Sequence, residues 1–175
     1  MKHLYLDDAF YFITCSTFTH IPYFNTNDKK DIIRRQICKI IKRLPVKLYA
    51  YSIASDHQHT LWFVRKSSDL PKIGQYLQGG SAFLLNKILG RQGRVWGEYY
   101  EIAINRQRTL RRVYGYIIGN LLKHKEAHDF ARLEKSPFSS FAQTAQKIGR
   151  DEAIKLVTDV LYLSVAEVIE KAEAD

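Results

Sequence analysis

Val46-Lys47-Leu48-Tyr49-Ala50-Tyr51-Ser52-Ile53 and His57-Gln58-His59-Thr60-Leu61-Trp62-Phe63-Val64 are two β-branched and aromatic runs, separated by a short break at Ser55-Asp56. Such a pair reads as a β-hairpin. Side chains at i and i+2 of a strand share a face, so His57 and His59 stand side by side on one surface of the sheet. Upstream, Ala9-Phe10-Tyr11-Phe12-Ile13-Thr14-Cys15-Ser16-Thr17 reads as a first strand. Between them, Asn27 or Asp28 can cap a helix whose apolar positions are Ile33, Ile37, Ile40, Ile41 and Leu44, ended by Pro45. Downstream, Leu70 to Leu89 has a helical pattern interrupted at Gly79-Gly80-Ser81, where glycine permits a kink or a close backbone approach. Tyr99 to Ile104 is a fourth strand, and a helix starting near Thr109 aligns Leu110, Val113, Ile117 and Leu121.

The order β-α-β-β-α-β-α predicts an α/β (α+β) fold of the ferredoxin-like split βαβ type, with one added helix. The sheet is expected to be mainly antiparallel, with helices on one face. After the turn at Ser136-Pro137, residues Asp151 to Ala172 read as one long amphipathic helix with Ile154, Val157, Leu161, Val165, Val168 and Ile169 on its apolar side. The division expected is 1–141 as a principal domain and 142–175 as a C-terminal helical appendage, serving as a packing element or dimer contact.

The chain has 175 residues, enough for one domain with a sizeable core. It contains no apolar run of the ~18 residues that cross a bilayer. The early acidic pair Asp7-Asp8 does not suit a signal peptide. Cys15 and Cys38 lack metal-type spacing and read as reduced, small hydrophobes. Cytoplasmic location without membrane contact is the expectation. Charge is unevenly spread. Residues 1–149 hold 24 Lys/Arg against 11 Asp/Glu, and residues 150–175 hold 3 against 7, giving +13 and −4 and the overall +9. A basic body with an acidic tail suits a domain that binds a polyanion.

Two residue pairs point to chemistry. His57 and His59 form a ready pair of metal ligands, although His-x-His alone is a weak signal. Tyr116 and Asn120 share a helix face at i,i+4. Phosphodiester cleavage needs a nucleophile and a group to offset charge on the phosphate. A free tyrosine, with pKa of about 10, is mostly protonated at neutral pH. Two imidazoles and an amide oxygen could hold a divalent ion while leaving positions open. Tyr114 would face away from Asn120, and Tyr99 and Tyr100 lie in or beside a strand, where they pack or stack. His124 and His128 also have i,i+4 spacing but read as solvated or phosphate-facing residues.

Taken together, His57-Gln58-His59, the run Val95-Trp96-Gly97-Glu98-Tyr99-Tyr100, then Tyr116-Ile117-Ile118-Gly119-Asn120 and Ser136-Pro137-Phe138-Ser139-Ser140-Phe141 resemble the HUH single-tyrosine transposases. That insertion-sequence-200-like family includes the REP-associated tyrosine transposases, and the resemblance spans about residues 5–141. It implies that His57, His59 and Asn120 bind Mg²⁺ or Mn²⁺ and that Tyr116 is the nucleophile. It further implies cleavage of single-stranded DNA near a hairpin, a 5′-phosphotyrosine intermediate and a free 3′-hydroxyl. A homodimer is one assembly known in the family. Phosphate contacts are expected from Lys42, Arg43, Arg65, Lys66, Lys72, Arg91, Arg94, Arg106, Arg108, Arg111, Arg112, Lys123 and Lys125, and base stacking from Trp96.

The chain departs from the family pattern twice. Gln58 stands where an apolar residue is usual, and Leu121 where the REP-associated branch usually has proline. These departures, with the acidic tail, motivate a second expectation, a non-catalytic DNA-hairpin-binding protein. A zinc hydrolase is a third, and would need a carboxylate or cysteine beside the two histidines.

Overall fold

A computed structural model describes residues 5–170. Four strands form a single sheet in the order β2-β3-β1-β4, every neighbouring pair antiparallel: β1 (Ala9–Thr17), β2 (Val46–Ile53), β3 (His57–Val64) and β4 (Trp96–Ile104). This is the expected split βαβ order, and β4 starts three residues before Tyr99. α1 (Asn27–Arg43) links β1 to β2. Its N-cap is Thr26, whose hydroxyl accepts a hydrogen bond from the Lys29 N–H, so the cap lies just before the expected Asn27 or Asp28. Ile33, Ile37 and Ile40 are buried as expected. Ile32 is buried with them, while Ile41 is exposed.

The second crossover consists of α2 (Leu70–Gly74), a π-helical stretch at Gln75–Gly80 and α3 (Ser81–Leu89). The widened turn is where Gly80 meets α1. A Cβ there would lie 2.6 Å from Gln36 Oε1, so the glycine permits close helix contact. α2 lies over the sheet face carrying Tyr99, because Gly74 abuts that ring. α1 packs against the π-helical stretch and α3.

The added helix, α4 (Gln107–Lys123), lies on the opposite face. Its Tyr116 ring packs against Phe12 and His59, and strand alternation puts those two residues on the face away from Tyr99. The helices therefore cover both faces rather than one. The reason is visible in β3, where Leu61, Trp62 and Val64 are all fully buried. A strand apolar at both parities needs cover on both sides.

Beyond α4 come α5 (Phe130–Lys135), α6 (Phe141–Ile148), α7 (Arg150–Thr158) and α8 (Val165–Glu170). The single long helix expected from Asp151 to Ala172 is two short ones with a turn between them, and its last two residues lie outside the described residues. α7 lies directly on α4. Cβ atoms added at Gly115 and Gly119 would sit 2.2 Å from Leu156 O and 2.4 Å from Val157 Cγ1. Ala153, Val157, Val160 and Val168 join the same hydrophobic core as the sheet. The segment Ser136 to Phe141 covers the outer edge of β2. Ile53 N–H donates to Phe138 O, Ser140 N–H donates to Tyr51 O, and Ser139 Oγ donates to Ile118 O on α4. Strand edge and helix are thereby tied together. No helix among the described residues is long and apolar enough to cross a membrane.

Candidate active site

The β2–β3 turn delivers His57 and His59 to the face under α4. Both are buried, and each imidazole has its Nδ1 engaged. His57 Nδ1 lies 2.6 Å from Asp56 Oδ1, and His59 Nδ1 lies 2.9 Å from the hydroxyl of Thr14, its cross-strand partner on β1. Such contacts fix tautomer and ring orientation and leave Nε2 to face a ligand. Asp56 is held by two histidines, since its other oxygen lies 3.1 Å from His20 Nδ1. The hydrogen bond from His57 lowers its carboxyl pKa to about 2. Asp56 and Thr14, which contact the two imidazoles, are not among the site residues expected from the sequence. An acidic residue directly before the first histidine was the available signal for Asp56. Thr14 is recognisable only once the strand register is known.

α4 supplies the second half of the site. Asn120 is fully buried, and its Oδ1 lies 2.9 Å from His57 Nε2. One turn earlier, the Tyr116 ring lies 5.3 Å from the His59 ring, centroid to centroid. The two histidine rings are 5.0 Å apart. All four residues expected at the site come together within one chain. Glu126 anchors the end of α4 to the histidine turn, accepting from Ser55 N–H at 2.7 Å and pairing with Lys30.

The donor set fits a divalent cation. His57 Nε2 and Asn120 Oδ1 lie 2.9 Å apart, and each is an atom type that can offer a lone pair to such an ion. The buried Nδ2 of Asn120 has no hydrogen-bond partner. Among the described residues no three His, Cys, Asp or Glu side chains are grouped to hold a metal. Among the described residues the zinc hydrolase reading finds no carboxylate or cysteine grouped with the two histidines to hold a metal.

The electrostatics of the pocket are those of a dry site. Burial holds the His59 pKa well below the ordinary 6.5, with the neighbouring His57 adding to the effect. Burial also pushes the Tyr116 phenol up to about 12. Lys123 Nζ lies 4.6 Å above the Tyr116 ring and donates to the Leu163 carbonyl, with its own pKa lowered by burial. Two of the rival tyrosines are placed elsewhere. Tyr114 hydrogen-bonds Thr144 on α6, and Tyr99 donates to Glu101 on the opposite sheet face. Tyr100 is exposed on the histidine face, across Thr14 from His59. His124 is exposed, but its ring packs 4.4 Å from that of His57.

The expected DNA contacts divide. Trp96 is not available for stacking: it is buried, stacked on Phe24 at 5.1 Å, and donates from Nε1 to Ser81. Its position at the start of β4, beneath α3, makes it a core residue. Arg91 covers the Tyr23 ring, Arg94 donates to the Trp96 and Gly97 carbonyls, Arg111 pairs with Glu152 and Lys72 with Asp69. Lys42, Arg43, Arg65, Lys66, Arg106, Arg108 and Lys125 are exposed, and Arg112 is half-buried. Gln58 points to the face away from the histidines, as its parity requires. Its amide donates to Cys15 Sγ at 3.0 Å while Oε1 has no partner. Leu121 is a core residue.

A four-stranded antiparallel sheet carrying His-x-His beneath a helix with Tyr-x₃-Asn defines a class of fold and site, and comparison with known proteins identifies it. The family model described as "Transposase IS200 like" matches residues 8–120, and the chain belongs to that family. A solved structure of a REP-associated tyrosine transposase bound to a REP hairpin is similar in fold. It has a TM-score of 0.68 and 19% identity, covering 84% of this chain and 85% of that one. A candidate transposase from Deinococcus radiodurans r1 aligns at TM-score 0.41 with 20% identity, over 67% of this chain and 95% of that one. No curated protein matches.

Proposed function

We propose that this transposase nicks and rejoins single-stranded DNA beside a hairpin, through a covalent link to Tyr116. The observation that carries the reading is the convergence of His57 Nε2, Asn120 Oδ1 and the rings of His59 and Tyr116 in one buried pocket. The Tyr116 oxygen attacks the scissile phosphorus and loses its proton. The bond from phosphorus to the 3′ oxygen breaks, and that oxygen leaves as a 3′-hydroxyl after taking up a proton. The product is a 5′-phosphotyrosine, which a 3′-hydroxyl can attack to reverse the step.

His57, His59 and Asn120 are the residues that would hold Mg²⁺ or Mn²⁺. Such an ion supplies Lewis-acid polarisation of the phosphate. Asp56 and Thr14 hold the imidazoles in place. The helical turn between Tyr116 and Asn120 fixes nucleophile and ligand relative to each other, and positioning of this kind is worth several kcal/mol of barrier. The hairpin is proposed as partner because the similar structure is bound to one. A second copy of the chain is not needed to complete the residue set.

A second reading has a specific observation behind it. Tyr116 is only 6% exposed, which suits a hairpin-binding protein that does not cleave. Incubation with hairpin oligonucleotides and Mn²⁺, followed by denaturing electrophoresis, separates the two. A labelled protein–DNA adduct that Tyr116→Phe abolishes while hairpin binding persists supports cleavage. Binding without any adduct supports the second reading, and an adduct that survives Tyr116→Phe removes Tyr116 as nucleophile.

A further inference from the structure

We propose that the cleft at the Val64 end of the sheet is a stacking site for unpaired DNA bases. This rests on the DNA-binding reading above and extends it to a surface outside the catalytic pocket. The cleft has a volume of about 420 Å³ and is lined by Pro45, Val46, Lys47, Tyr49, Phe63 and Arg65. Phe63 pairs across strands with Phe10 on one side and Lys47 on the other. By alternation all three lie on the same sheet face as His57 and His59. From His59 to Phe63 the strand advances roughly 13 Å at its usual rise per residue.

A register shift between Leu48 and Ala50 leaves Tyr49 as the extra residue of a bulge. Bulges re-aim side chains, and this one puts Tyr49 on the face with Phe10, their rings 4.9 Å apart and edge-on. Phe10 and Phe63 are likewise 5.2 Å apart. Phe10, Tyr49 and Phe63 are each only half-buried, whereas Leu61, Trp62 and Val64 beside them are fully buried. Lys47 Nζ lies 5.1 Å over the Tyr49 ring, and Arg65 is exposed at the rim. The nearby carboxylate of Asp7 is already tied to the backbone and hydroxyl of Ser67.

Partly open aromatic faces rimmed by cations are what a single strand requires: flat surfaces for bases and charges for phosphates. A duplex offers no free base faces, so the occupant is the unpaired DNA that flanks a hairpin.

The test compares a DNA hairpin carrying a single-stranded flank with the same hairpin lacking it, by fluorescence anisotropy on the full chain. Wild type should bind the flanked oligonucleotide more tightly. Tyr49→Leu keeps apolar bulk at a half-buried position and should weaken that binding roughly fivefold or more, leaving the bare hairpin unaffected. Lys47→Ala, at an exposed position, should lower the salt dependence of flanked binding by about one phosphate contact. Equal wild-type affinity for the two oligonucleotides, or Tyr49→Leu and Lys47→Ala effects that are absent or shared by both, overturns the inference alone. Failure of wild type to bind either one overturns the DNA-binding reading and this site with it.

Discussion

His57 Nε2 and Asn120 Oδ1 lie 2.9 Å apart although 63 residues separate them in the chain, one at the start of β3 and the other near the end of α4. The separation is that of a hydrogen bond, and the proposed function reads the two atoms as ligands of one cation. It depends on Asp56, which takes the Nδ1 side of the imidazole. Removing such a partner commonly costs 10–100-fold in metal affinity. Asp56→Ala should therefore weaken Mn²⁺ binding by roughly 10–100-fold, and His57→Ala should abolish it, by isothermal titration calorimetry. Unchanged affinity in Asp56→Ala would show that the carboxylate plays no part in orienting the ligand.

Tyr116 bears on the pH dependence of cleavage. Burial raises its phenol to about 12, so near pH 7 almost all of it is protonated. Below that pKa the phenolate fraction grows tenfold per pH unit. Single-turnover adduct formation at saturating Mn²⁺ should rise steeply from pH 7 to 9. A flat profile across that range would mean that phenol deprotonation does not limit the step.

Much of this site was legible in the sequence because it is written in short periods. His57 and His59 obey the strand period of two, and Tyr116 and Asn120 the helical spacing of four. What was not legible depends on tertiary contact. The apolar stripe of α4 says that the helix has a buried side, but not which face of the sheet receives it. The apolar periodicity of residues 154–169 continues across the turn between α7 and α8. α7 docks on Gly115 and Gly119, a tertiary contact that no local pattern records. Trp96 belongs to the core because Phe24 and Ser81 happen to meet it there.

His59 links folding to pH. In the folded chain burial holds its pKa well below 6.5, so the ring stays neutral. In the unfolded chain it titrates near 6.5. As pH falls below that value the unfolded state takes up a proton that the folded state refuses. Stability is then lost down to the folded pKa, by at most about 1.4 kcal/mol per pH unit. Urea unfolding in EDTA should show wild type losing stability from pH 7 to 5 and His59→Gln losing less. Parallel losses in both proteins would place the acid sensitivity elsewhere.

Gly115 and Gly79 should respond to the same substitution in opposite ways. A Cβ at Gly115 would stand 2.2 Å from the Leu156 carbonyl oxygen and 2.9 Å from its carbon. These are backbone atoms of α7, which cannot yield as a side-chain tip can. α7 would have to lift from α4, opening the core where Val157 and Val160 are buried. Gly115→Ala should therefore cost about 1–3 kcal/mol, the range for overpacking. Gly79, in the π-helical stretch, has only Gln75 Cγ at 4.0 Å from an added Cβ. There alanine restricts the unfolded chain without a clash, so Gly79→Ala should be neutral or stabilising by up to about 1 kcal/mol. Chemical denaturation of the two variants beside wild type measures both. If Gly115→Ala proved as stable as Gly79→Ala, the close seating of α7 on α4 would be ruled out.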